Sequence, residues 1–380
     1  MPPVSMSKTR ETKETKEFIT ELVKAHGTPL FVISKNKLIE QVNKFKTLMP
    51  RVTPFYAVKA NPRIEILKIF AQAGLCFDVA SQGEMETLIN LNVSPERMVF
   101  ANTSKSPEVL KYAHKNHINL MTFDSEYELY KIAKHAPKSK VLVRIKVPNV
   151  GSMVELSIKF GADPSDAIPL LIKAYKLGLK PAGVSFHVGS QCVKIENYIE
   201  AFEMASIIYQ DAQLKQLSLD TLDIGGGFPI KHYDWEEDNF IKMAPRINKE
   251  LDRLFNNNIK IISEPGRVLV GNSCTLITQV IAKSIRNNKF WYYLNDGLYG
   301  TLSGILFDHC KYQYKTLKTG QPHISTITGP TCDSLDVISY SEDLPELDIG
   351  DIIYVENIGA YSIATATNFN SLPLAKVVLA

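Results

Sequence analysis

Four short segments place chemically useful groups directly after apolar runs. Lys59 follows Pro54-Phe-Tyr-Ala-Val58 and precedes Asn61-Pro62, which break the chain. A lysine ending an apolar strand can be desolvated, which lowers its pKa and makes the amine a nucleophile toward aldehydes. His187-Val-Gly-Ser190 closes a run that begins at Gly183; its imidazole could stack on a flat ring and its hydroxyl could donate to a phosphate oxygen. Gly225-Gly-Gly227 follows Thr221-Leu-Asp-Ile224. Three glycines let a backbone approach a phosphate closely and aim N–H groups at it. Glu264-Pro-Gly-Arg267 follows Lys260 to Ser263. It supplies a carboxylate that can keep a pyridine nitrogen protonated and a guanidinium that can grip phosphate with two bonds. Each segment alone has a plainer reading: a solvated loop lysine, a hydrogen-bonded strand-end histidine, a flexible turn, a structural ion pair. The four in this order, each after a strand, carry far more than any one of them.

The elements that must position these groups alternate. Strand patterns fall at Pro54 to Val58, Cys76 to Ala80, Met98 to Ala101, Leu120 to Phe123, Val141 to Val147, Gly183 to Val188, Thr221 to Ile224 and Lys260 to Ser263. Helical patterns lie between them, around Ile64 to Ala73, Pro107 to Lys115, Ser125 to His135, Ser165 to Lys176 and Ile195 to Leu214. Eight strands alternating with helices predict an α/β fold, a closed (β/α)8 barrel, whose chemistry sits at the C-terminal ends of the strands. After Gly271 the texture changes: Cys274 to Ala282, Lys289 to Leu294, Ile324 to Thr328 and Asp351 to Val355 are strand-like, so a mostly β domain follows the barrel.

Composition narrows the function classes. With 43 basic and 40 acidic side chains the net charge is +3, which leaves no concentrated basic face for nucleic acid or an acidic membrane. No apolar run reaches the ~18 residues of a spanning helix. The segment from Met1 to Glu17 is polar, lacks the apolar core of a secretory signal and reads as a short mobile tail. Five scattered cysteines, none in a CxxC pair, argue against a disulfide framework and a zinc cage. A reduced, cytoplasmic protein without a metal site is the expectation.

The sequence resembles the barrel-type decarboxylases that use pyridoxal 5'-phosphate, a family that includes ornithine, arginine, lysine and diaminopimelate decarboxylases. The likeness runs from about Pro29 to Phe369. It rests on Tyr56-Ala-Val-Lys-Ala-Asn61, Phe77-Asp-Val-Ala-Ser81, Phe186-His-Val-Gly-Ser190, Asp223-Ile-Gly-Gly-Gly-Phe228 and Glu264-Pro-Gly-Arg267. Beyond the barrel it rests on Asn295-Asp-Gly-Leu-Tyr-Gly300, Phe307-Asp-His309, Gly329-Pro-Thr-Cys-Asp333 and Gly359-Ala-Tyr361. Gln191 departs from the glycine usual in the eukaryotic ornithine enzymes and is closer to bacterial members.

The resemblance implies a domain of residues 35–272 that binds the cofactor and a discontinuous one of 1–34 with 273–380. It implies that Lys59 holds the cofactor as a Schiff base, Glu264 pairs with its ring nitrogen and His187 stacks on its face. Ser190, Gly225, Gly226, Gly227, Gly266, Arg267 and Tyr361 would meet the cofactor, mostly at its phosphate, while Asp78, Glu84 and Arg144 keep lysine and ring in register. Cys332 would protonate the product carbon; a thiol is a sensible donor near neutral pH, although a cysteine outside this motif is more often structural. Asp308 and Asp333, with Tyr299 and Phe369, would bind the substrate, a basic amino acid. Lys159, Asp336 and Gly359 would lie at the interface of an obligate homodimer in which Cys332 and Asp333 serve the partner's cofactor. The expected reaction is decarboxylation of L-ornithine to putrescine. A lysine or dual lysine/ornithine enzyme is the nearest alternative, followed by arginine and diaminopimelate decarboxylases. An inactive regulator of the antizyme-inhibitor kind and a pyridoxal-phosphate carrier complete the set.

Overall fold

Residues 6–152 and 159–380 are described by a computed structural model. Its first elements are helix α1 (Met6–His26) and strand β1 (Leu30–Ile33), and neither belongs to the barrel. Residues 1–5 of the expected tail, and Ile158 beside Lys159, lie outside the described residues. From Met6 onward the expected tail is instead the start of α1. Its Lys, Glu and Thr residues give no apolar pattern until Phe18, but Ile19, Leu22 and Val23 then pack against Leu30, Val32, Ile277 and Tyr354.

The barrel unit spans Lys35–Gly271. In chain order it holds α2 (Lys35–Leu48), β2 (Val52–Ala57), α3 (Ile64–Gln72), β3 (Cys76–Val79), α4 (Gln82–Asn90), β4 (Met98–Phe100), α5 (Pro107–Lys115) and β5 (Leu120–Phe123). There follow α6 (Glu126–His135), β6 (Lys140–Arg144), α7 (Ala167–Lys176), β7 (Lys180–Ser185), α8 (Ile195–Leu214), β8 (Thr221–Asp223), α9 (Asn239–Leu254), β9 (Lys260–Ser263) and α10 (Arg267–Val270). Strands β2 to β9 pair in sequence, all parallel, and β9 closes on β2 with Pro54 opposite Ser263. Phe55, Val99, Leu142, Ala182 and Ile262 fill the interior, so the barrel is a packed core and not a pore.

Several helix starts are written locally. Ser81, Ser106 and Ser125 each cap a helix by accepting the N–H three residues on, and Pro107 occupies the first turn of α5, where no N–H is needed. Within the barrel unit, α2, α4, α9 and the one-turn α10 fall outside the expected helices. Helix α9 contains Pro245, a residue that usually ends a helix, yet Phe240, Met243, Ala244, Ile247 and Leu251 recur at helical spacing and bury one face. Strand β7 starts at Lys180, earlier than expected, with Pro181 near its beginning, where a missing N–H is tolerated. It ends at Ser185, which leaves His187 on the loop beyond it.

The second unit joins the chain up to Ser34 with Asn272–Ala380. It contains β10 (Cys274–Arg286), β11 (Lys289–Leu294), α11 (Gly304–Phe307), β12 (Tyr314–Thr316), β13 (Pro322–Thr328), β14 (Val337–Pro345), β15 (Ile352–Val355) and β16 (Lys376–Leu379). The sheet runs β12-β15-β10-β11-β13-β14, and β1 pairs with both β10 and β16. Among the described residues no helix is long and apolar enough to cross a membrane, and no cluster of His, Cys, Asp or Glu could hold a metal ion.

Candidate active site

Because the barrel strands are parallel, the segments that follow them gather at one end. Lys59 lies in a single helical turn, Val58–Ala60, directly after β2. Its Nζ pairs at 2.7 Å with Oδ2 of Asp78, a buried residue of β3. The other oxygen, Asp78 Oδ1, is buried and takes no hydrogen bond. Glu84 binds back into its own helix start: Ser81 Oγ accepts from Glu84 N at 3.3 Å, and Glu84 Oε2 accepts from Ala80 N at 2.6 Å. This reciprocal cap fixes the turn leaving β3. Burial raises the Glu84 pKa, opposed by the Ala80 hydrogen bond.

Strands β8 and β9 deliver two more buried acids. Asp223 ends β8, and its Oδ1 accepts from Gly225 N at 2.9 Å. Its Oδ2 receives no bond from an amide, hydroxyl or cation, and the carboxyl meets that of Glu264. Burial pushes both groups above the usual carboxylate range, and the nearby Asp223 charge pushes Glu264 further. Two carboxyls in one buried space each disfavour the other's ionisation.

His187 is half-buried. Burial foremost, then the Arg144 and Lys59 charges, hold its pKa well below the usual range. Nδ1 accepts from Gly189 N at 3.0 Å, so the neutral ring carries its proton on Nε2. Arg144, at the end of β6, stacks its guanidinium on Phe160 at 5.1 Å; the exposed Lys159 places Nζ 4.9 Å from the same ring.

The glycine loop has no room for side chains. A Cβ on Gly225, Gly226 or Gly227 would fall 2.2 Å from Phe186 O, 2.6 Å from Glu264 O or 2.3 Å from Gly189 O respectively. Gly225 and Gly227 also have positive φ, +64° and +98°. Phe228 anchors the loop against Phe45, Tyr198 and Phe240, and Tyr198 Oη donates to Gly226 O at 2.8 Å. Gly266 leads into α10, where Arg267 Nη2 donates to Ser190 Oγ at 3.4 Å.

The expected residues of the second unit form their own constellation. Tyr299 stacks on Phe369 with centroids 4.3 Å apart and donates to Asp333 Oδ2 at 2.5 Å. Cys332 is exposed, and both its N–H and its thiol are directed at Asn370 Oδ1, at 3.2 and 3.4 Å. Asp308 is buried and accepts from the Cys310 thiol at 3.3 Å. Tyr361, at φ +52°, follows the buried Gly359. Asp336 is buried, and its carboxylate accepts from Leu298 N (2.8 Å), Thr331 N (3.1 Å) and Thr331 Oγ1 (2.7 Å). It shapes the turn that carries Cys332 and Asp333.

A cradle without Cβ atoms, a hydroxyl and a guanidinium suit a phosphate. A buried acid pair suits a ring nitrogen, and a lysine held by an aspartate suits an aldehyde. Residues 35–271 match the family described as pyridoxal-dependent decarboxylase, pyridoxal binding domain. The chain is 41% identical to ornithine decarboxylase of Schizosaccharomyces pombe, covering 93% of this chain and 84% of that one. The chain belongs to this family. The decarboxylase is also 40% identical to the lysine/ornithine decarboxylase of Selenomonas ruminantium, over 95% of this chain and 92% of the other. Its structure superposes on the crystal structure of the arginine decarboxylase of Paramecium bursaria Chlorella virus with a TM-score of 0.91, at 32% identity, covering 96% of this chain and 100% of that one. Its cofactor is pyridoxal phosphate, which the donor set of the barrel fits.

Three residues of these constellations carried no role in the sequence reading. Asp223 was signalled by its place, an acid at a strand end immediately before the triple glycine. Asn370 adjoins Phe369 and Cys310 adjoins Asp308, but their bonds to Cys332 and Asp308 come from folded turns and have no sequence signature.

Proposed function

We propose that this decarboxylase acts on L-ornithine and releases putrescine. The observation that carries the reading is the Asp333–Tyr299–Phe369 arrangement with Asp308 in the same unit: two carboxyls and an aromatic stack suited to a short aliphatic chain ending in an ammonium. Relatives that act on ornithine support it.

When bound, pyridoxal phosphate supplies a ring that accepts the electron pair left as carbon dioxide departs. The side chains do the rest. Lys59 is the amine that holds the cofactor, and Asp78 fixes that amine in place. Glu264, partnered by Asp223, holds the proton at the ring nitrogen, and His187 offers a neutral ring face. Ser190, the glycine loop and Arg267 take the phosphate, a role shared by Gly266 and Tyr361, and Arg144 and Glu84 keep the surroundings in register. Cys332 delivers the proton to the product carbon. The working form is a homodimer in which Lys159, Asp336 and Gly359 lie at the interface and Cys332 and Asp333 serve the partner's cofactor.

Carbon dioxide release from L-ornithine, L-lysine, L-arginine and meso-diaminopimelate, with Lys59→Ala as control, tests the reading. A kcat/KM at least about tenfold higher for ornithine than for lysine is expected, since one methylene is discriminated by ~1–3 kcal/mol. Equal rates on ornithine and lysine would replace the specificity with a dual one.

A further inference from the structure

The cofactor-side loops carry one residue whose role is still open. Gln191 follows Ser190, is buried, and sits at φ +51°, a left-handed backbone that glycine adopts freely and glutamine does not. A non-glycine residue persists there when its side chain does something glycine could not. Its amide makes two reciprocal bonds to one residue: Nε2 donates to Ile230 O at 3.1 Å, and Oε1 accepts from Ile230 N at 2.7 Å.

Those bonds join two loops, and the packing of Ile230 reaches a third segment. Gln191 belongs to the loop after β7, which carries Ser190. Ile230 belongs to the loop after β8, three residues beyond Gly227, and Cys192 N donates to Gly227 O at 2.9 Å alongside. The Ile230 side chain in turn lies over Gly271, where an added Cβ would come within 2.4 Å of its Cδ1; Gly271 closes α10, the helix that Arg267 opens. The segment beyond Ile230 is pinned at its far side by Glu236, whose Oε2 accepts from His232 N and Tyr233 N.

We propose that Gln191 is a positioning residue for the cofactor's phosphate. It clamps the Ser190 loop to the glycine loop, so the phosphate donors stand in place before the cofactor arrives and the cofactor is held more tightly. The proposal rests on the reading that Ser190, Gly225–Gly227 and Arg267 take the phosphate. Preorganised donors bind tighter because less ordering is left to the moment of binding.

The test is equilibrium binding of pyridoxal phosphate and of pyridoxal, which lacks the phosphate, to cofactor-free wild-type protein and to Gln191→Gly and Gln191→Ala. The glycine variant removes the clamp while easing the backbone, so the two variants together separate amide bonds from strain. Both are expected to weaken pyridoxal phosphate about tenfold, the worth of two ordinary hydrogen bonds, and to leave pyridoxal within about twofold. Unchanged pyridoxal phosphate affinity in both variants would overturn the proposal. So would an equal loss for both ligands, which marks a general effect on the fold. Wild-type protein that held pyridoxal as tightly as pyridoxal phosphate would instead overturn the phosphate reading, and the proposal with it.

Discussion

Replacing Gly226 with alanine adds a single methyl group, and the structure says where it must go. The new Cβ would stand 2.6 Å from the Glu264 carbonyl oxygen and 3.1 Å from His187 Nε2. The first gap is about 0.8 Å short of ordinary contact, and its other side is backbone, so the loop after β8 must move away from the loop after β9. Gly226 does not have positive φ, so alanine meets no backbone strain there and the effect is purely steric. Overpacking of this kind costs about 1–3 kcal/mol of stability. The larger effect falls on chemistry, because Glu264, His187 and the glycine amides all lie on the displaced segments. A displacement near 1 Å costs about a hundredfold in rate. The assay is kcat/KM for ornithine at saturating cofactor, beside Gly83→Ala. Gly83 is an exposed helical glycine with nothing within 4 Å of its added Cβ, and that change should leave activity intact. A Gly226→Ala enzyme within about threefold of wild type would refute the argument that this loop is already filled by backbone.

Three more outcomes follow from the structure. His232 is buried near Arg267, and burial first, then that charge, lowers its pKa from 6.5 to about 4 against the pull of Glu236. The unfolded chain therefore binds this proton at a higher pH than the folded one, and stability is lost as the pH falls from 6.5 through 4. The total is about 3 kcal/mol, and thermal unfolding of the cofactor-free His232→Asn protein should lose that part of the acid slope. Asp336→Ala strands three donors around the Cys332 turn; at about 1 kcal/mol each it should lower stability by about 3 kcal/mol, measured by urea unfolding. Mixing Lys59→Ala with Cys332→Ala subunits should restore about a quarter of wild-type activity if the sites are shared across a two-fold axis, and none if each subunit works alone.

Much of the barrel was legible because its signals are local. Leu120–Phe123, Lys260–Ser263, Pro107–Lys115 and Ile195–Leu214 have the ends that pattern alone assigns. Lys59, the glycine loop and Glu264 were legible for a related reason: parallel strands put every following segment at the same end, so order in the sequence became proximity in space. Helix α1 was hidden by a polar first half whose apolar face begins only at Phe18, and α9 by Pro245. Strands β1 and β16 were hidden because a four-residue strand is defined by its partner, and their partners are hundreds of residues away or at the opposite end of the chain. The acid pair of Asp223 and Glu264 and the Asn370–Cys332 contact depend on side-chain encounters that no spacing announces.

The pairing of β1 with β10 and β16 also bears on how the protein is made. Leu30-Phe-Val-Ile33 is buried at every position in the finished molecule, yet its partners are translated only after the whole of Lys35–Gly271. At ~5–20 residues per second a nascent chain carries this sticky strand unpartnered for roughly ten to fifty seconds, while the barrel can already collapse. During that interval the four residues are a target for chaperones and a seed for misassociation. Expression at lower temperature or with a trigger-type holdase should therefore raise soluble yield more than it would for a barrel whose chain begins at its own first strand.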